Sequence, residues 1–105
     1  MIFDHVGYRT TEKKEGEFFF APNRVWITDS KKHPFNIEWL RYENDSPVKE
    51  PVKSSPHIGF RVENLETAMT GMEILLGPME IDSKKRIVFC KTEDGAVVEL
   101  MEIHS

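Results

Sequence analysis

His57-Ile58-Gly59-Phe60-Arg61 is the stretch that decides the fold, because it occurs twice. Residues 5–9 read His5-Val6-Gly7-Tyr8-Arg9, the same succession of imidazole, β-branched aliphatic, glycine, aromatic and arginine. A second stretch repeats behind it. Asn36-Ile37-Glu38-Trp39-Leu40 matches Val97-Val98-Glu99-Leu100-Met101, a glutamate between apolar residues. The chain therefore reads as two related modules, each opening on a His strand and closing on a Glu strand. Module one covers residues 1–43, a connector 44–55 and module two 56–105, all within a single domain of 105 residues.

Working outward, the second module reads strand, helix, then three strands. His57 opens the first strand. Asn64 is a good helix N-cap, followed by Leu65, Ala68, Met69 and Met72 at the spacing of one helical face, with Gly71 as the stop. Residues 73–76 and 86–91 read as strands, with Gly77-Pro78 as a turn between them. Asp94-Gly95 makes a hairpin turn into the last strand, 96–103. The first module has strands at 2–9, 17–20, 24–28 and 36–42, but nothing in it reads as a helix. His5 and Glu38 are 33 positions apart and His57 and Glu99 are 42, so the first module is shorter by 9, about the length of that helix. The deficit falls most economically in residues 10–16. The connector carries Pro47, Pro51 and Pro56 with charge and serine between, and reads as an extended link.

Alternation along each strand fixes which side chains share a face. Each His shares its face with the Gly two residues on, which leaves space beside it. Ile58, Phe60 and Val62 take the opposite face, where the helix residues Leu65 and Met69 can cover them. Glu99 shares a face with Val97 and Met101, and Glu38 with Leu40 and Tyr42. A carboxylate between apolar neighbours is costly unless it is paired, protonated or bound to a cation. Taken alone, each of these residues is best read as an ion-paired glutamate or a hydrogen-bonded core histidine. Duplication of both in matching order favours a shared divalent ion. Two nitrogens and two oxygens suit Zn, Ni, Co, Mn or Fe.

These motifs resemble the glyoxalase/bleomycin-resistance/extradiol-dioxygenase superfamily, the vicinal oxygen chelate fold. The resemblance rests on His-Ile-Gly-Phe-Arg-Val at 57–62, Asn64-Leu65-Glu66, Leu76-Gly77-Pro78 and the run from Asp94 to Glu102. It covers the second module strongly and the first more weakly. It implies an α+β fold of two βαβββ modules forming a curved mixed sheet, the first module lacking its helix. It also implies His5, Glu38, His57 and Glu99 as metal ligands, with Glu38 or Glu99 leaving the metal to act as catalytic base. The activity expected is a metal-dependent isomerase or lyase acting on a small oxygen-chelating substrate, of the lactoylglutathione lyase or epimerase kind. The alternative is a non-catalytic small-molecule binding protein of the bleomycin-resistance type. Ring-cleaving dioxygenase chemistry fits less well, since it uses two His and one carboxylate on iron. His33 reads as a turn residue and His104 as solvent-exposed. With no helix in module one, the face holding Val6, Tyr8, Ile37 and Trp39 lacks cover, which predicts a homodimer or burial by the connector.

Composition excludes other classes. Net charge is -4 with both signs mixed along the chain, so no basic stripe exists to bind nucleic acid. No apolar run approaches the roughly 20 residues of a membrane span. Met1-Ile2-Phe3-Asp4 has neither the basic region nor the apolar core of a signal peptide. The single cysteine, Cys90, reads as a buried strand residue, and the expected location is the cytoplasm.

Overall fold

The computed structural model describes residues 1–104. Eight strands form one mixed sheet: β1 (Ile2–Arg9), β2 (Phe18–Phe20), β3 (Val25–Ile27), β4 (Ile37–Tyr42), β5 (His57–Val62), β6 (Glu73–Asp82), β7 (Lys85–Lys91) and β8 (Val97–Ile103). Their order across the sheet is β2-β3-β4-β1-β5-β8-β7-β6. Each half repeats the same logic. The first strand lies parallel to the fourth, and the fourth, third and second run antiparallel in turn. The halves join where β1 and β5 pair antiparallel. The fold is thus the α+β, two-unit curled sheet that the sequence implies.

The β1–β5 register explains the repeated motif. His5 stands opposite Gly59, Gly7 opposite His57, and Val6 opposite Ile58 between them. Each imidazole lies across the other module's glycine. A Cβ added to Gly7 would stand 2.1 Å from His57 Cε1, and one on Gly59 2.3 Å from His5 Cε1. The glycines are therefore present for close approach of a ring rather than for a turn.

One helix, α1 (Leu65–Ala68), is a single turn where the sequence suggested about two. The Asn64 side chain accepts from the Thr67 backbone N–H at 2.8 Å and caps it, and Gly71 takes φ +78° at the end of the following turn. Leu65 is fully buried against Val88, Cys90, Val98 and Leu100, with Phe60 and Val62 packed alongside. So short a helix does not reach Ile58, which stays 40% exposed, against expectation. Leu76, Gly77 and Pro78 form no turn but a register irregularity inside the long strand β6.

The connector is the largest departure from the sequence reading. It is not an extended tether. Backbone bonds from Lys53 N to Lys49 O and from Ser55 N to Pro51 O fold it into turns. Val48 and Val52 are buried in one cluster with Ile87, Phe89, Val97 and Met101, against Tyr42 and Met79. These two valines stand isolated among prolines and charged residues, so no strand or helix pattern announced them. They fill part of the hollow on the face opposite α1.

In the first half, residues 10–17 run as a loop where the second half carries its helix. The loop gives partial cover: Lys14 Nζ lies 4.7 Å from the Trp39 ring centre, and Trp39 packs on Tyr8 at 5.8 Å. Phe3 and Tyr8 remain 48% and 39% exposed.

Candidate metal centre

Four neighbouring strands at the middle of the sheet, β4, β1, β5 and β8, each deliver one of the expected residues to the concave face. One ligand atom from each of His5, Glu38, His57 and Glu99 lies within 4.8 Å of all the others. The register accounts for this. Glu38 stands beside Gly7 and Glu99 beside Gly59, so each carboxylate flanks the glycine over which a ring is laid.

Glu99 Oε1 accepts from His5 Nε2 at 3.0 Å and stands 3.2 Å from His57 Nε2. The two Nε2 atoms are 3.2 Å apart. Glu38 Oε1 is more distant, 3.7 Å from His5 Nε2 and 3.5 Å from His57 Nε2. His5, His57 and Glu99 are buried, whereas the Glu38 side chain is 18% exposed. The edge of Phe89 stands against the His57 ring at 5.1 Å between centres.

The electrostatics follow from burial and pairing. Burial disfavours a charged imidazole at His57, but hydrogen bonds to Glu38 and Glu99 outweigh it and raise its pKa to about 9. His5 moves the same way, burial being overcome by Glu99, Glu38 and Asp4. Burial pushes the Glu99 carboxyl up, and the two imidazoles more than reverse this, holding it below the ordinary carboxylate range. Burial, followed by the charges of Glu38 and Glu99, pushes the Tyr42 phenol well up, so it stays neutral.

The donor set fits a divalent ion. Ligand atoms at about 2.1 Å from a shared ion stand about 3.4 Å apart in a tetrahedron and about 3.0 Å apart at right angles. The two imidazole nitrogens stand 3.2 Å apart and 3.0 to 3.7 Å from the carboxylate oxygens, and all four ligand atoms lie within 4.8 Å of one another. Two imidazole nitrogens and two carboxylate oxygens are borderline-to-hard donors, as expected for zinc and its first-row neighbours.

The sequence reading missed Asp4. Strict alternation placed it on the face opposite His5. A register shift in the β1–β5 ladder between Phe3 and His5 makes Asp4 a bulge residue, so that both side chains turn inward. Asp4 is buried, and its Oδ2 accepts from His5 Nδ1 at 2.8 Å. The other two histidines stay apart from the cluster. His33 Nδ1 accepts from the Phe35 backbone N–H within its own turn, and the half-exposed His104 contacts Glu102. Cys90 is fully buried on the opposite face, as expected.

Five surface cavities among the described residues include none of the four in their linings. Three members of the cluster are buried, and Glu38 is its most exposed one. No described helix is long and apolar enough to cross a membrane.

No protein-family model matches the sequence. No curated protein matches it either. Among solved structures, the chain is similar to the crystal structure of a glyoxalase family protein from Bacillus cereus, with 16% identity and a TM-score of 0.46 over 77% of this chain. The chain spans 60% of that protein's length.

Proposed function

We propose that His5, Glu38, His57 and Glu99 hold a divalent metal ion and that the protein is a metal-dependent isomerase or lyase acting on a small substrate with two adjacent oxygens. The observation that carries this reading is the convergence of four ligand atoms within 4.8 Å, from four separate strands. An ion held there would polarise a substrate carbonyl and make the carbon next to it more acidic. The two glutamates divide the remaining work. Glu99 is buried and bonded to an imidazole, so it stays in place. Glu38 stands farther from both rings and nearer solvent, so it is the carboxylate able to swing away and take or return a proton at the substrate carbon. The buried imidazoles of His5 and His57 would hold the ion and keep water from that part of the site.

The alternative is a non-catalytic small-molecule binder, and one observation restricts both readings. Val48 and Val52 of the connector pack against Phe89, and Phe89 packs against His57, so the hollow beside the cluster is partly filled. A substrate must be small or must displace the connector. Metal content separates the possibilities. The purified protein should hold about one equivalent of zinc or a first-row neighbour, and His57→Ala should hold far less. Equal content in the two removes the metal reading. If metal is present, proton exchange at the carbon alpha to a ketone in small hydroxyketones, lost in Glu38→Gln with metal retained, supports the enzyme. Metal binding without exchange supports the binder.

The homodimer belongs to the same proposal. Phe3, Tyr8 and Ile58 stay exposed on the face with no helix in the first half, and the connector, lying on the other face, does not cover them. Sedimentation at micromolar concentration should give twice the monomer mass, and a clean monomer removes this part.

A further inference from the structure

Asp4 and Lys31 do no work in the proposed chemistry, yet Asp4 is among the most buried charged groups of the chain. Its two oxygens are divided. Oδ2 accepts from His5 Nδ1 at 2.8 Å, and Oδ1 from Lys31 Nζ at 2.6 Å. Lys31 sits in a one-turn 3₁₀ segment, Ser30–Lys32, capped by the Asp29 side chain, which accepts from the Lys31 backbone N–H at 2.9 Å. The carboxylate is thus clamped at both ends, and the bulge in β1 is what turns it to the His5 side. The second half has no such device, because Pro56 precedes His57.

We propose that Asp4, clamped by Lys31, is a positioning residue that fixes His5 as a metal ligand. The inference rests on the metal reading above and adds a member to that site. A carboxylate accepting from Nδ1 requires a proton on that nitrogen, which leaves Nε2 as the ring atom available to an ion. Nε2 is the atom that faces Glu99 and His57. The same bond stops the ring rotating about Cβ–Cγ, and the negative charge strengthens Nε2 as a donor. His5 is therefore the ligand anchored from outside the cluster, while His57 meets Glu38 and Glu99 within it and otherwise packs against Phe89 and over Gly7.

The test is zinc affinity by competition with a chromophoric chelator, run on the full chain as Asp4→Ala, Asp4→Asn and Lys31→Ala. Loss of an outer carboxylate of this kind weakens metal binding about 10- to 100-fold. Asp4→Ala should show that loss, and Asp4→Asn a smaller one, since its amide oxygen still accepts from Nδ1. Lys31→Ala should show the smallest. The second readout is the His5 Nδ1 proton in the NMR spectrum of the zinc-loaded protein. It should be protected from exchange in the parent and exposed in Asp4→Ala. A role in stabilising the strand alone would lower the unfolding temperature of the variants while leaving zinc affinity and the Nδ1 proton unchanged, and that result overturns the proposal. Absence of zinc binding by the unaltered protein overturns the metal reading itself, and the positioning role with it.

Discussion

The two halves of the sheet share strand order, register and the pairing of a histidine with the partner's glycine, yet they are finished differently. The second half covers its outer face with α1 and a fully buried Leu65. The first half has only the loop 10–17, and leaves Phe3 and Tyr8 exposed. On the inner face the imbalance is reversed. His5 of the first half is preceded by a buried acid that bonds its Nδ1, whereas His57 is preceded by Pro56. The half with the weaker outer layer carries the more firmly held imidazole. Duplication therefore constrains what both halves share, the four inward side chains, while the supports around them have diverged.

The largest expected effect comes from the outer layer. Leu65→Ala removes a side chain with no exposed surface from a packed cluster and should cost about 4 kcal/mol in urea unfolding. Tyr8→Ala, on the corresponding face of the first half, should cost about 1 kcal/mol, since much of the ring already meets solvent. Equal losses would mean that the first half is covered in solution by something else, a second copy being the candidate.

The next effect is of pH on the metal-free protein, and its sign follows from the shared cluster. His57 has its pKa raised to about 9 by Glu38 and Glu99 against burial, so its contribution is complete below the unfolded value near 6.5 and fades as pH rises through 9. Glu99 is shifted down, so its contribution is present above about 4.5 and is lost as pH falls through its lowered value. His5 follows His57, and Tyr42 stays protonated throughout this range. Stability in the presence of a chelator should peak between about pH 4.5 and 6.5 and fall on the order of 3 kcal/mol by pH 9. Zinc should reverse the slope, because the ion replaces protons at the same nitrogens. A flat profile without metal would show that the imidazoles do not share protons with the glutamates.

How much of this was legible in the sequence follows from what kind of signal each part left. The repeated His-x-Gly and the apolar-flanked Glu marked the four strands that carry them and all four clustered residues, because a period of two and a duplication are both visible in one dimension. Asp4 was not legible. A bulge breaks the period, and the ladder irregularity that turns Asp4 inward depends on the facing strand β5. The connector was misread for the opposite reason. Val48 and Val52 are isolated apolar residues among prolines and charges, and their burial comes from the hollow they meet rather than from any period of their own. Glu102 belongs with these. It is buried on the outer face, where its carboxylate accepts from the Leu65 backbone N–H at 2.8 Å, a partner 37 residues away.

The repeated glycines allow the inner faces to be compared directly. Gly7→Ala places a methyl within 2.1–2.7 Å of three His57 ring atoms, and Gly59→Ala within 2.3–2.8 Å of three His5 ring atoms. Each ring must move, at about 2 kcal/mol and with weaker metal binding. The costs should differ. His57 can swing, but His5 is tied to Asp4, so Gly59→Ala should be the more damaging by unfolding and by chelator competition. If Gly7→Ala proves worse, His57 is the anchored ring and the assignment of supports is inverted.

The smallest effect tests whether the helix belongs to the site or only to its half. Asn64→Ala removes the acceptor for the Thr67 N–H and should cost about 1 kcal/mol. Glu102 still receives the Leu65 N–H from β8, so the helix N-terminus keeps one of its two side-chain acceptors. Zinc affinity should not change, because α1 packs on the face opposite the four clustered side chains and the first half delivers His5 and Glu38 without an α-helix among its described residues. A matching loss of zinc affinity in Asn64→Ala would tie the two faces together through β5 and β8. The helix would then be part of what aims His57 and Glu99, and its absence from the first half would leave the Asp4–Lys31 clamp as the substitute on that side.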